Sequence, residues 1–262
     1  MLLGIILIII GIVLFIIRQI QAKELLSLQS ARQTNIEELI STANSISQEI
    51  GGGDWRDYVK IWGKITVNKP ILSELKQEPC VYYKMKVQRE YEEKEITSDS
   101  KGNRQERMVK KTETISENVR SIPFFLEDKT GRIIVNPEEG KIDTIKILDE
   151  FRNESSEGGM LQFGNFSLML NNNFLNSSRR IFGYRYKESI LPIDREILVI
   201  GQVSDETGDL RIHKPSNNQE KFMISLKTNE ALIHSYGQNQ QNLFYGFISC
   251  IVIGIVIIFI SM

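Results

Sequence analysis

Two unbroken apolar runs frame the chain. The first, MLLGIILIIIGIVLFII at residues 1–17, carries no charged side chain and is closed by Arg18; the second, LFYGFISCIVIGIVIIFISM, fills 243–262. At about 1.5 Å of rise per residue each run covers a hydrocarbon core of about 30 Å, with Arg18 snorkelling at the boundary. The pattern predicts a transmembrane helix at 1–17 and another at 243–262. The first run has neither the basic leader nor the small-x-small site of a cleaved signal, so it reads as a retained anchor. Residues 18–53 then take a helical period, with Leu25, Leu28, Ile36, Leu39, Ile40 and Ile46 among polar residues. Thr34 or Asn35 is placed to cap a second helix, Glu37 and Glu38 occupy its first turn, and the glycines at 51–53 end it. This is a helical juxtamembrane stalk whose apolar stripe packs on the domain or on a sister chain.

Residues 54–236 change period to two. In YVKIWGKITV, Val59, Ile61, Gly63, Ile65 and Val67 share one face; in VYYKMKVQREY, Val81, Tyr83, Met85, Val87 and Tyr91 share one face while Tyr82, Lys84, Lys86, Gln88 and Glu90 share the other. These are half-buried strands. SDSKGN at 98–103 predicts a turn, making a long hairpin in which KK at 110–111 faces EEKE at 92–95. The fold class is mainly β (α+β): antiparallel hairpins forming a sheet or small barrel with few helices, flanked by two transmembrane helices and the N-terminal stalk.

Charge alters this picture little. The 262 residues hold 32 Lys and Arg against 33 Asp and Glu, so no global field steers the chain to nucleic acid, and none is expected as a partner. Arg18, Lys23 and Arg32 after the first run favour a cytoplasmic central domain by the positive-inside bias.

The tetrad Asp128-Lys-Thr-Gly131 matches the phosphorylated aspartate of an ion-pumping ATPase, yet turn chemistry accounts for it. The stretch EDKTGRIIVNP recurs in outline as SDETGDLRIHKP, with Asp205 and Gly208 at the equivalent corner, and IWGKI at 61–65 matches VIGQV at 199–203. An aspartate opening a turn accepts backbone N–H groups, and the glycine is expected to supply φ > 0. Asp128, Gly131, Asp205 and Gly208 are therefore read as structural turn residues.

Candidate chemistry is sparse. Two histidines, His213 and His234, and two cysteines, Cys80 and Cys250, form no nucleophile set and no zinc-ligand spacing. No catalytic residue, cofactor site or metal site is assigned, and no cofactor is expected. RRIFGYRYK at 179–187 interleaves Arg179, Arg180, Arg185 and Lys187 with aromatics. Those four cations are weak binding-patch candidates; period two makes Phe182, Tyr184 and Tyr186 a core face and leaves the charges to solvent.

Taken in order, IWGKI, EPCVYYKMKV, IPFFLEDKTGRIIVNP, GYRYKESILPIDREILVIGQV, FMISLKTNEALIHS and a final span resemble the GIDE domain, also called the BAM ("beside a membrane") domain. The resemblance covers about Tyr58 to Met262. It implies a two-pass membrane protein whose domain holds partners beside the bilayer. The best-known bearer is a mitochondrial membrane E3 ubiquitin ligase, whose domain faces the intermembrane space; this opposes the charge bias and leaves the side open. In that ligase a zinc-binding RING follows the second span. The two cysteines and two histidines here supply no such ligands, so ligase residues are not carried over, and the chain resembles RING-less, bacterial-type members. Three functions follow as expectations. The first is a non-catalytic membrane-anchored scaffold, with the bilayer and an unknown protein as partners and self-association through the stalk or spans. The second is a ligase-like protein acting with a separate RING component. The third is a membrane-anchored hydrolase, which needs a polar pocket joining His213 to Asp205 or Asp209.

Overall fold

A computed structural model describes residues 2–51, 55–98, 104–153, 159–170, 179–206 and 208–260. In chain order the elements are α1 (Leu2–Ser30), β1 (Arg32–Gln33), α2 (Ile36–Ile50), β2 (Arg56–Thr66), β3 (Ile71–Leu72), β4 (Pro79–Ser98), β5 (Arg104–Ser121), β6 (Phe124–Glu127) and β7 (Arg132–Val135). Then come β8 (Lys141–Ile142), β9 (Ile145–Arg152), β10 (Met160–Phe163), β11 (Phe166–Met169), β12 (Arg180–Pro192), β13 (Glu196–Ser204), β14 (Arg211–His213), β15 (Met223–Ser225) and α3 (Asn229–Ile260). The fold is mainly β with flanking helices. The chain forms two compact units: Met1–Ile65, Phe125–Ile142 and Arg195–Met262 in one, Thr66–Phe124 and Asp143–Asp194 in the other.

The first unit is built on a closed barrel. Strands β2, β6, β7, β14 and β13 bond in that order, and β13 returns to β2 by an antiparallel register from Glu196↔Lys64 to Ser204↔Arg56. With β7 and β14 parallel, this is the connectivity of an OB-type five-stranded barrel. Its interior is apolar: Val59, Ile61, Ile65, Leu126, Val135, Val199, Val203 and Ile212 are almost wholly buried. The matched strands IWGKI and VIGQV lie side by side, and their glycines share a role. A Cβ at Gly63 would stand 2.7 Å from the Glu127 carbonyl oxygen, and one at Gly201 would stand 2.9 Å from that of His213.

Strand β13 is buried on both faces, which explains why EILVIGQV shows a continuous apolar run. Leu198 and Ile200, facing away from the barrel interior, pack with Leu28 and Ala31 at the end of α1, Met223, and Leu232 at the start of α3. Both terminal helices therefore run without a break from membrane-length apolar segments into the domain's core. The expected boundary at residue 18 is not a structural break: α1 continues to Ser30, and the stalk belongs to the first unit. A ring of three hydrogen bonds fixes this junction. Ser27 Oγ and Tyr58 Oη are 2.8 Å apart, Tyr58 Oη donates to the Lys221 carbonyl (2.9 Å), and Lys221 N–H donates to Ser27 Oγ (2.8 Å). Lys60 Nζ reaches the Leu28 carbonyl near the α1 terminus (3.5 Å), where a cation suits the helix dipole.

Helices α1 and α3 are each long and apolar enough to cross a membrane, and they pack on each other. Gly4 and Gly254 meet backbone to backbone: a Cβ at Gly4 would stand 2.7 Å from the Gly254 carbonyl oxygen, and one at Gly254 would stand 2.9 Å from that of Gly4. Such close approach is how helices gain packing energy in lipid, where the hydrophobic effect gives none. Phe15 stacks on Phe247 (5.3 Å between centroids), and the Arg18 guanidinium lies over Phe244 (5.1 Å).

The second unit is built on a sheet with β4 paired to β12 along most of its length, β9 beyond β12, and β5 and β3 on the other side of β4. The expected period holds. Val81, Tyr83, Met85, Val87 and Tyr91 are buried, and Met85 and Val87 join Tyr184 and Tyr186 of β12 in a core closed by the β10–β11 hairpin through Leu161, Phe163 and Phe166. The expected turn at 98–103 lies, from residue 99, outside the described residues. The charges flanking it meet as expected: Lys111 binds Glu93 (2.6 Å) and Glu95 (2.7 Å), and Lys94 binds Glu106 (2.7 Å). Being solvated, these pairs add little to stability.

Candidate functional site

The Asp128 corner is a helix cap as well as a turn. Asp128 Oδ1 accepts from Thr130 N–H (2.7 Å), Thr130 Oγ1 (2.6 Å) and Gly131 N–H (3.0 Å). Its second oxygen, Oδ2, accepts from Ile36 N–H (3.0 Å), while Thr130 Oγ1 accepts from Glu37 N–H (3.1 Å) and Asn35 Oδ1 from Glu38 N–H (2.9 Å). The first three N–H groups of α2 are thus satisfied by a local cap and by a corner 92 residues downstream. Burial pushes the Asp128 carboxyl up, but the Thr130, Ile36 and Gly131 hydrogen bonds outweigh it and hold the group below its usual range. One expectation is corrected here: Gly131 has no positive φ. It is small because a Cβ would press on Ile36 Cγ2 at 3.2 Å, whereas Gly208 does need its φ of 86° and has nothing within 4 Å. At the second corner Gly208 N–H bonds the Asp205 carbonyl (2.9 Å), and Asp205 Oδ1 accepts Trp55 N–H (3.2 Å).

Asp128→Asn is therefore costlier than turn chemistry alone predicts. Its amide oxygen can keep the turn bonds, but its NH₂ then opposes Ile36 N–H, for an expected loss of about 1–2 kcal/mol. The pH dependence has a definite sign. Because the folded carboxyl titrates lower than the unfolded one, its contribution is complete above about pH 4 and fades as pH falls through the folded value. Protection of the Ile36 and Glu37 amides, taken relative to the intrinsic exchange rate at each pH, should fall over that acid window in the native chain. In Asp128→Asn it should already be low at neutral pH. Equal exchange in the two proteins would refute the cap.

The arginine-rich strand is mostly self-satisfied. Arg179 binds Glu93 (2.8 Å), Arg180 binds Glu92 (3.3 Å), and Arg185 binds both Glu90 (2.7 Å) and Asp149 (3.1 Å). Lys187 is placed differently. The registers set it directly opposite Lys86 on β4 and opposite Asp149 on β9. With Lys84, Lys86 and Lys146 it lines an open cleft that also holds Gln88, Thr144 and Ser189. Glu117 is shared by Lys84 (2.9 Å) and Lys86 (3.2 Å), and Asp149 by Lys146 (3.1 Å) and Arg185. Like charges directly opposite on a sheet are destabilising, and four lysines from three strands around one cleft suit an anionic group. Lys84 and Lys86 were visible as a polar face in the sequence; Lys146 and the Lys86–Lys187 pairing were not.

The remaining reactive side chains are apart from one another. His213 Nδ1 contacts the Lys214 carbonyl (2.8 Å), and Asp209 lies 3.4 Å from Arg211. Cys80 is wholly buried, and burial, reinforced by the Glu188 carboxylate, pushes its thiol up to about 11. Among the described residues no group of three or more His, Cys, Asp and Glu is placed to hold a metal ion. With Cys80 in β4, His213 in β14, and His234 and Cys250 in α3, these side chains do not fit the zinc set of a RING.

Comparison with known proteins follows the same division. The chain is 24% identical over 151 residues to an E3 ubiquitin-protein ligase, SPL1, of Arabidopsis thaliana, an alignment covering 57% of this chain and 42% of that protein. The chain thus spans under half the length of this relative. No solved structure matches it. The family described as "GIDE: E3 Ubiquitin ligase" matches residues 92–259, from the β4–β5 hairpin to the end of α3, and the chain belongs to the GIDE family.

Proposed function

We propose that this GIDE protein is a two-pass, membrane-anchored binding module that holds a partner beside the bilayer. The observation that carries this is the continuity of α1 and α3 from membrane-length helices into the packing around Leu198 and Ile200. Such a junction transmits no slack, so the domain is held at the bilayer surface. The lysine cleft offers a surface on which an anionic partner group can be held. In this reading ubiquitin chemistry belongs to another polypeptide.

Two assays test it. Carbonate washing should leave the chain in the membrane pellet. Purified chain with activating and conjugating enzymes should leave ubiquitin unconjugated. Release by carbonate would overturn the two-pass anchor, and conjugation by the chain alone would overturn the binding-module reading. The family match favours a second reading, a ligase component acting with a separate RING chain. Conjugation that requires both chains together would select it.

A further inference from the structure

The β4–β5 hairpin outruns its sheet. Strand β12 accompanies β4 only as far as Arg180↔Glu92, while β4 and β5 stay paired to Ser98↔Arg104. Among the described residues Glu93–Ser98 pair only with β5, and β5 has no second neighbour over its length. A two-stranded ribbon is marginal in water by itself, and an unpaired edge is a template for another strand. This ribbon also exposes apolar side chains on one face: Ile96 is 62% exposed and Met108 is 49% exposed. The pairs Lys94↔Met108 and Ile96↔Glu106 place both on that face.

We infer that the outer edge of β5 pairs antiparallel with β5 of a second copy of this chain, on a two-fold axis at Met108. Among centres from Glu106 to Lys111, toward the projecting end of the ribbon, strand geometry and charge restrict the choice. N–H and C=O groups point alternately to the two edges, so in a two-fold antiparallel pair the axis must pass beside one residue and its own mate. Centring on Glu106, Arg107, Lys110 or Lys111 would set like charges face to face, which is repulsive. Centring on Val109 would set Arg107 against Lys111. Centring on Met108 sets Glu106 against Lys110 on both sides of the axis, Arg107 against Val109, and Met108 against itself. The edge is thus complementary to its own sequence in this register, and the Met108 and Ile96 side chains of both copies come to lie on one face of a four-stranded sheet. This edge belongs to neither the stalk nor the spans.

The test uses full-length chain in its membrane, with Cys80 and Cys250 replaced by serine or alanine. Directly opposed residues have Cα atoms about 4.5–5.5 Å apart, within disulfide range. Met108→Cys should therefore give an oxidised dimer, and Val109→Cys, one step off the axis, much less. Glu106→Lys or Lys110→Glu alone should lower the Met108→Cys dimer roughly ten-fold, and the double exchange should restore it. Failure of Met108→Cys to cross-link, equal cross-linking at Val109→Cys, or a double exchange without recovery would each overturn the inference. Amide protection of the β4–β12 pairs, unchanged in every variant, separates lost association from lost folding.

Discussion

Replacing Glu188 by alanine is expected to destabilise the second unit by about 3–5 kcal/mol, enough to unfold it in many domains. Glu188 lies in the middle of β12 and is 1% exposed. Its carboxylate accepts three hydrogen bonds, from Ser73 Oγ (3.0 Å), Leu75 N–H (2.8 Å) and Lys76 N–H (2.8 Å). Those donors shape the turn between β3 and β4, in which Gln77 has φ of 58° and its N–H returns to the Ser73 carbonyl. Alanine leaves Ser73 Oγ and Leu75 N–H buried without an acceptor, each at about 1–3 kcal/mol, and Lys76 N–H part-buried. Glu188→Gln keeps one oxygen and should lose about half as much. Amide exchange in denaturant reads the effect, since protection at Met85 and Tyr184 should collapse in Glu188→Ala. Unchanged protection would show that the turn does not depend on Glu188.

Gly183→Ala is expected to cost about 3 kcal/mol or more. Gly183 sits where β12 shifts register against β4, with φ of 154°. A Cβ there would stand 2.2 Å from the Arg152 carbonyl oxygen and 2.9 Å from the Phe151 ring. The first obstacle is backbone and cannot rotate aside, so β9 itself must move. Two other glycines calibrate the result. Gly208→Ala meets only its backbone conformation, worth about 1 kcal/mol, and Gly131→Ala meets only the Ile36 methyl at 3.2 Å. Thermal melts should rank Gly183→Ala far below both. If Gly131→Ala proves the most damaging, the account of these three positions is wrong.

These positions show what a single sequence reveals and what it conceals. Period two exposed the buried faces of β2, β4 and β12, because alternation is local to each strand. Asn35 and Gly51 were legible as the ends of α2 for the same reason. Asp128 was legible as a turn residue but not as a cap, since the helix it serves lies 92 residues upstream. Arg89 and Glu188 fall on apolar faces by period and are almost wholly buried. Arg89 is held by Glu113 (2.6 Å) and faces the Tyr91 ring at 5.2 Å. Nothing near either residue in the chain announces those partners. The lysine cleft and the barrel closure depend likewise on which strands become neighbours, and local pattern carries no information on that.

The barrel's connectivity also sets an order of assembly during synthesis. Strand β2 emerges early, yet its antiparallel partner β13 ends at Ser204, so the barrel waits open until that residue has left the ribosome. The long β4–β5 hairpin, whose strands are near neighbours in sequence, can form meanwhile. Helix α1 faces the same delay, because α3, on which its glycines pack, is made later still. A nascent chain halted before Glu196 should thus hold β2 paired with β1 and β6 but open on the edge that β13 covers. For this protein a quality-control factor that senses exposed strand edges would have a long interval in which to act.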